Sequence, residues 1–345
     1  MTSSSRIGVA VIGLGRISER AVLPAFKHSK KTRLVALVSG DERKAARLAK
    51  KFRAADYYTY DDYALCLNHP QVDAVFIATP NSTHLDFAAR AAAAGKHVLV
   101  EKPMTTTVED ARRMIAACRN AGVRLMVAYR KYFDPASIAL KKLATSGKLG
   151  RLVLMHSAFT FVLGKKGAAW HLDRKLSGGG SLMDIGIYCI NTARWIARRD
   201  PIEATGYMWS NDPQRFNEVE ESISFRLNFP EGLVLEASAS FGAAQSHFLT
   251  VHGDRGWAAL NPAFAYDEDR RLFGKINGRW FEKIFKVTDE FALELDALAA
   301  SIRARRDPEP DGIEGLRDMV IMQAIYRAAR ENRTVPINVP YAIPA

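Results

Sequence analysis

Five near-continuous apolar runs mark the first part of the chain, at 7–12, 33–39, 74–79, 97–101 and 124–129. Stretches of helical period fill the gaps, at about 17–28, 41–52, 83–94 and 107–121. A strand that is apolar on both faces is covered on both, which is the habit of parallel sheets between helices. Local punctuation agrees. Gly95 and Gly122 sit where helix C-termini belong, and Thr107, with Asp110 three residues on, reads as an N-cap. Alternation of this kind predicts an α/β domain over residues 1–130, built on a doubly wound parallel sheet.

The pattern changes after residue 130. A helix over 134–146 ends at Gly147, a strand covers 151–161, and a helix over 181–198 opens after Gly178-Gly179-Gly180. Runs at 203–210, 221–229, 232–241, 247–253 and 256–260 then follow with no helix between them. The second and third alternate apolar with polar residues, as strands do in an antiparallel sheet with one buried face. Two helices, about 288–305 and 312–331, close the chain. The prediction for 131–345 is an α+β domain with a mostly antiparallel sheet, its last helices free to pack back on the first domain.

Composition changes this picture little. With 345 residues, 48% hydrophobic and 25% charged, the chain is an ordinary globular one of about two domains. No apolar run approaches the ~20 residues that cross a bilayer, so no membrane partner is expected. Met1–Arg6 shows no charged segment leading into a long apolar one, so no secretory leader is expected and the predicted location is cytoplasmic. Cys66, Cys118 and Cys189 are too few and too far apart for a disulfide framework or a cysteine zinc site, and no metal is predicted. The net charge of +12 favours anionic partners. Its basic residues are scattered among acids and no nucleic-acid motif accompanies them, so a phosphorylated small molecule is expected rather than nucleic acid.

A phosphate-binding loop is the first candidate site. Gly13, Leu14, Gly15, Arg16 and Ile17 follow the first strand and open a helix, with Ser18 where a third glycine is usual. Gly13 permits the tight turn, Gly15 lets a pyrophosphate approach the backbone, and the helix N-terminus supplies free N–H groups. The end of the second strand decides between two dinucleotides. Ser39-Gly40 with Arg43 and Lys44 suits a 2′-phosphate and so NADP, which is the prediction; Asp41 as a ribose-binding carboxylate would instead mean NAD.

The reactive end comes from two further places. Lys102, within Glu101-Lys102-Pro103, ends a strand at the edge where ligands of such sheets sit. Asp184 and Tyr188 are four apart on the predicted helix after the triple glycine, with Asn191 on the same face. The glycines leave room there for a ligand. A tyrosine serves as acid or base near neutrality when a neighbouring cation favours its phenolate. A half-buried core tyrosine beside a helix-end aspartate would show the same spacing.

The motifs taken in order resemble the Gfo/Idh/MocA oxidoreductases. They are GLGRIS at 13–18, TPNSTH at 79–84, EKP at 101–103, YR at 129–130 and GGGSLMDIGIY at 178–188, and the likeness runs over roughly 6–335. Most members carry histidine where this chain has Tyr188. Tyrosine there, with VSGDERKA at 38–45, is similar to the glucose–fructose oxidoreductase branch, whose members bind NADP through a serine and a lysine at the Ser39 and Lys44 positions. WHLDRKLSGGG at 170–180, NEVEESI at 217–223 and EFALELDAL at 290–298 extend the likeness. That branch has an export signal and an N-terminal arm over the cofactor, neither of which is expected here.

The resemblance implies a Rossmann domain and a second domain with a large open-faced sheet that builds dimers or tetramers. It implies Lys102 and Tyr188 as the catalytic pair, with Asp184 beside them, in reversible hydride transfer between C1 of an aldose and NADP. Thr79, Pro80, Asn81, His84, Glu101, Lys102 and Arg130 are the remaining expected cofactor contacts. Expected sugar contacts are Lys102, Tyr129, Trp170, Arg174, Asp184, Tyr188 and Tyr266. Two alternatives stay open: a cyclitol or dihydrodiol dehydrogenase of the same fold, and a non-catalytic regulator that senses dinucleotide.

Overall fold

The structure is a computed structural model that describes residues 6–164 and 169–340. The chain divides into two compact units. Unit 1 runs to Arg130 and takes in Asp289–Gly315; unit 2 comprises Lys131–Thr288 and the chain from Leu316 on.

Unit 1 is built on six parallel strands: β1 (Ile7–Ile12), β2 (Thr32–Ser39), β3 (Asp56–Thr59), β4 (Ala74–Ile77), β5 (His97–Val100) and β6 (Leu125–Val127). Their order is β3-β2-β1-β4-β5-β6, so the direction of winding reverses between β1 and β4. Ligands of doubly wound sheets bind at that switch. Val9, Ala10, Val11, Ile12, Val35, Leu37, Ala74 and Ile77 are all at 0% exposure, which accounts for strands without a polar face. β3 was not among the predicted runs. It is a short edge strand of sequence DYYT, half exposed, and so carries no apolar signature. Helix Glu290–Ala304 completes the unit, with the Asp296 carboxylate accepting from the Ser29 hydroxyl at 2.6 Å and from the Lys31 N–H at 2.8 Å.

The helix after β1 covers residues 16–25 and widens into a π-type turn over Ser18–Val22. Pro24 explains the widening, because it lacks the N–H that would bond back four residues.

Unit 2 carries nine strands: β7 (Leu152–Thr160), β8 (Glu203–Trp209), β9 (Ser222–Asn228), β10 (Val234–Ser240), β11 (Ser246–Gly253), β12 (Gly256–Asn261), β13 (Arg270–Ile276), β14 (Arg279–Phe285) and β15 (Val335–Pro336). The order is β14-β13-β12-β11-β7-β10-β9-β8-β15, antiparallel except where β10 lies beside β7. Met155, Leu235, Leu249 and Val251, at 0% exposure, form one face beneath the helices Pro135–Thr145 and 182–197. The other face leaves Tyr207, Trp280 and Ile284 at 64%, 56% and 60% exposure. The hairpin β13–β14 was not predicted, although its turn is signalled: Asn277 and Gly278 both take positive φ, as a two-residue hairpin requires.

Asn191 is corrected by the structure. It is buried and donates to Asp318 at 2.8 Å. Asp318 also accepts from Arg194 at 2.6 Å, and Arg194 reaches Asp200 at 2.7 Å, all three within the core. A guanidinium at 0% exposure is tolerated because two carboxylates neutralise it. Arg194→Met, which removes the guanidinium that both buried carboxylates share, is expected to cost about 3–5 kcal/mol in urea unfolding followed by circular dichroism. Wild-type stability of the variant would contradict this account of the core.

Candidate active site

In unit 1 the predicted residues gather along the carboxyl edge of the sheet. Gly13 has a φ of 89°, and a Cβ there would meet the Ala78 carbonyl at 2.5 Å, so this glycine is fixed by the close approach of the loops after β1 and β4. Gly15 differs: a Cβ built on it meets nothing within 4 Å. Bare backbone at the opening turn of helix 16–25 therefore faces open space, a cradle of the kind that takes a pyrophosphate. Ser18 is buried and its hydroxyl donates to the Gly13 carbonyl at 2.6 Å, which ties the loop where a glycine would only fit. Leu14 is buried, while Arg16 is exposed.

At the end of β2, Asp41 is the N-cap of helix Glu42–Phe52 and accepts the Lys44 N–H at 2.9 Å. Its own N–H donates to the Ser39 hydroxyl at 3.1 Å. The carboxylate is thus engaged in capping. Arg16, Arg43 and Lys44 have no ion-pair partner among the described residues. A helix N-terminus with uncommitted cations suits a phosphate better than a ribose hydroxyl.

After β4, Thr79 and Asn81 are buried and Pro80 is half-buried. The Thr83 hydroxyl donates to Thr79 Oγ1 at 2.7 Å. His84 is at 0% exposure, with Nε2 2.9 Å from the Thr79 carbonyl and Nδ1 3.2 Å from the Pro103 carbonyl. Burial pushes its pKa down to about 4, so the ring is neutral at pH 7 and has one N–H to give. With one N–H between two carbonyls it donates to one of them at a time, and it lies buried between the loop after β4 and the Lys102-Pro103 turn. Lys102 itself is half-buried, and its N–H donates to Glu101 Oε2 at 3.3 Å.

Arg130, at 5% exposure, donates to Glu290 at 2.7 Å, joining the end of β6 to helix Glu290–Ala304, and Tyr129 beside it is 4% exposed. One turn along that helix lies Glu294, at 0% exposure and with no hydrogen-bond partner for either oxygen among the described residues. Burial, reinforced by the nearby Glu101 carboxylate, pushes its pKa well above the usual range against the pull of Arg130.

In unit 2, Asp184 and Tyr188 stand out by exposure. From Ser181 to Ile196 every other residue is buried, and only these two are partly open. Asp184 lies in a π-type turn, Leu182–Gly186, that opens the helix. Tyr188 rests on Phe159 and Phe264, with ring centroids 5.5 and 5.6 Å away. Phe264 and Tyr266 sit on a loop pinned from below. The Ala265 carbonyl accepts from Lys131 at 2.9 Å and from Arg270 at 2.7 Å, and Asp134 neutralises the buried pair.

His171 was not predicted as a site residue, yet its Nε2 lies 3.8 Å from an Asp184 oxygen. Trp170 is half-buried, and its ring lies 3.8 Å from the same imidazole at a tilt of 33°. A lone histidine without ligand spacing gave no signal; the Trp-His pair just ahead of the triple glycine was the available clue. Arg174 is exposed and lines a cavity with Gly178, Glu220 and Tyr326. The triple glycine also has another cause than ligand room. A Cβ on Gly179 would meet the Tyr326 hydroxyl at 2.1 Å, and one on Gly180 the Glu220 carbonyl at 1.9 Å. Among the described residues no cluster of His, Cys, Asp or Glu could hold a metal, and no helix is long and apolar enough to cross a membrane.

A glycine-cradled helix start at the switch point of one unit, and a tyrosine–aspartate pair on the helix that covers the sheet of the other, are features of the class of two-unit dinucleotide oxidoreductases. Comparison with known proteins narrows it. The family model described as an oxidoreductase family with NAD-binding Rossmann fold matches residues 7–129, and the Gfo/Idh/MocA C-terminal domain matches 138–259. The chain belongs to the Gfo/Idh/MocA oxidoreductase family. It is 32% identical to an NADP(+) D-xylose 1-dehydrogenase of Haloarcula marismortui, over 95% of this chain and 92% of that one. A second D-xylose 1-dehydrogenase (NADP(+)), from Haloferax volcanii, is 29% identical over 95% of this chain and 99% of its own. The crystal structure of an aldose-aldose oxidoreductase from Caulobacter crescentus, complexed with glycerol, is 36% identical and superposes with a TM-score of 0.92, covering 96% of this chain and 100% of that one.

The buried Glu294 gives a pH test. Its pKa is raised in the fold, so above the unfolded value of ~4.3 the unfolded chain releases a proton that the native state keeps. Stability then falls with rising pH by up to about 1.4 kcal/mol per unit until the native group ionises. Glu294→Gln removes the effect. Its melting temperature is expected to exceed wild type by a margin that widens from pH 5 to pH 8; a margin independent of pH would contradict a protonated Glu294.

Proposed function

We propose that the chain is an NADP-dependent sugar oxidoreductase that oxidises an aldose at C1 to the lactone, reversibly. The observation that carries this reading is the Asp184–Tyr188 pair, two partly open polar side chains on an otherwise buried helix, in a family of oxidoreductases. The relatives support the substrate class: two are D-xylose 1-dehydrogenases that take NADP(+), and a third is an aldose-aldose oxidoreductase.

The residues present fit NADP. Gly13 to Ile17 hold the pyrophosphate against the bare backbone of Gly15, and Ser39, Gly40, Arg43 and Lys44 receive the 2′-phosphate, with Arg16 close in sequence to the cradle. Thr79, Pro80, Asn81 and Glu101 border the nicotinamide end. Bound NADP supplies the hydride acceptor. The chain supplies the proton chemistry. Tyr188 takes the proton of the anomeric hydroxyl, and the Lys102 ammonium stabilises the negative charge that develops on that oxygen. Asp184 orients the sugar through its hydroxyls and is itself held near His171. Trp170 offers a flat face to the pyranose, and Tyr266 reaches the sugar from the pinned loop. In reverse, Tyr188 returns the proton to the carbonyl oxygen.

The open face of the unit 2 sheet supports a homo-oligomer, dimer or tetramer. Tyr207, Trp280 and Ile284 are exposed on it, and exposed apolar clusters of this kind mark surfaces that are covered in assemblies.

Tyr188→Phe is expected to keep NADP binding, measured by fluorescence, and to lose roughly 10²–10⁴-fold in kcat with D-xylose or D-glucose. Wild-type turnover in this variant would remove Tyr188 from the chemistry. Lys44→Ala is expected to lower the preference for NADP over NAD by about tenfold in binding. Light scattering should find a dimer or larger species, and Trp280→Glu should shift it toward monomer.

A further inference from the structure

Arg174 and Arg330 line a cavity of about 270 Å³ that lies wholly within unit 2. Trp170, Asp184 and Tyr188 take no part in its walls. Neither guanidinium has a carboxylate within ion-pair distance among the described residues. Two acids, Glu218 and Glu220, also line the cavity, and both carboxylates are hydrogen-bonded within the protein. Glu220 accepts from the N–H groups of Gly180 at 3.0 Å and Leu182 at 2.9 Å, and from the Tyr326 hydroxyl at 2.8 Å. Glu218 accepts the Arg174 N–H at 3.1 Å.

The rest of the wall fits the carbon side of a small ligand. Trp209 and Phe216 supply aromatic surface, and Gly178 supplies backbone with no side chain. The volume is below the ~300–1,000 Å³ usual for drug-sized ligands, so the occupant is small. Guanidinium groups recognise carboxylates and phosphates in a planar, two-point manner. An indole covers the C–H face of a polyol while the hydroxyls turn to polar groups.

We propose that this cavity is a second small-molecule site, which binds a small polyhydroxylated anion, a sugar acid or a sugar phosphate, through Arg174 and Arg330. It is separate from the oxidoreductase chemistry, and its binding is measured without turnover. It does, however, share Glu220 with the first turn of the helix that carries Tyr188.

Calorimetric titration of the full chain with gluconate, glucose 6-phosphate, inorganic phosphate and neutral glucose tests the proposal. One polyol anion or both should bind once per chain, and saturating glucose should not displace it. Gluconate alone binding identifies the carboxylate source, and glucose 6-phosphate alone the phosphate source. Arg330→Ala should weaken binding about tenfold or more, the worth of one charge-assisted hydrogen bond, with Arg330→Lys in between. Arg174→Gln, another exposed position, should weaken it similarly. The proposal is overturned if no anion saturates at millimolar concentration or if glucose displaces it. It is equally overturned if inorganic phosphate binds as tightly as the polyol anions, or if the Arg330→Ala and Arg174→Gln variants bind like wild type.

Discussion

The carboxylate of Glu220 is the interaction on which unit 2 depends. It accepts two backbone N–H groups at the start of helix 182–197 and the hydroxyl of Tyr326 on the last helix. A helix N-terminus leaves N–H groups without intrahelical partners, and a carboxylate satisfies them while matching the positive end of the dipole. The cap fixes where the helix begins. Its start then decides which residues of the following turns reach the surface, and those are Asp184 and Tyr188. The glycines at 179 and 180 serve the same end, since only residues without a Cβ let Tyr326 and Glu220 come so close.

Unit 1 is held by a parallel device. Buried polar side chains tie the loops at the carboxyl ends of the strands to one another. Ser18 closes the loop after β1, His84 fills the space between the loop after β4 and the Pro103 carbonyl, and Arg130 with Glu290 joins β6 to the returning helix. Each is buried, so each hydrogen bond is made away from competing water and is costly to lose. Open residues along this edge include Gly15, Arg16 and Arg43, with Lys44 half-buried beside them.

Much of this was legible in the sequence. Strands apolar on both faces announced the parallel sheet, alternation announced the open-faced one, and the order of motifs announced the family. What stayed hidden has physical reasons. The edge strand β3 is half exposed and carries no apolar pattern, and in β14, RWFEKIF, the apolar residues fall in adjacent pairs rather than alternating. His84 and Arg130 read as ligand contacts because polar residues at strand ends usually are. Their burial, and partners 19 and 160 residues away, cannot be read from spacing. Arg174 and the triple glycine were placed beside the reactive helix by sequence proximity, whereas the fold turns them toward Tyr326. His171 was passed over because nothing in its neighbourhood along the chain reveals Asp184.

The account stands on the chain carrying out sugar oxidation with a phosphorylated dinucleotide. Its most direct test is the absorbance of the purified protein mixed with NADP before and after an aldose is added. A band of reduced nicotinamide near ~340 nm should grow with D-xylose or D-glucose and not with inositol. No band with any aldose, or an equal band with inositol, would contradict the account.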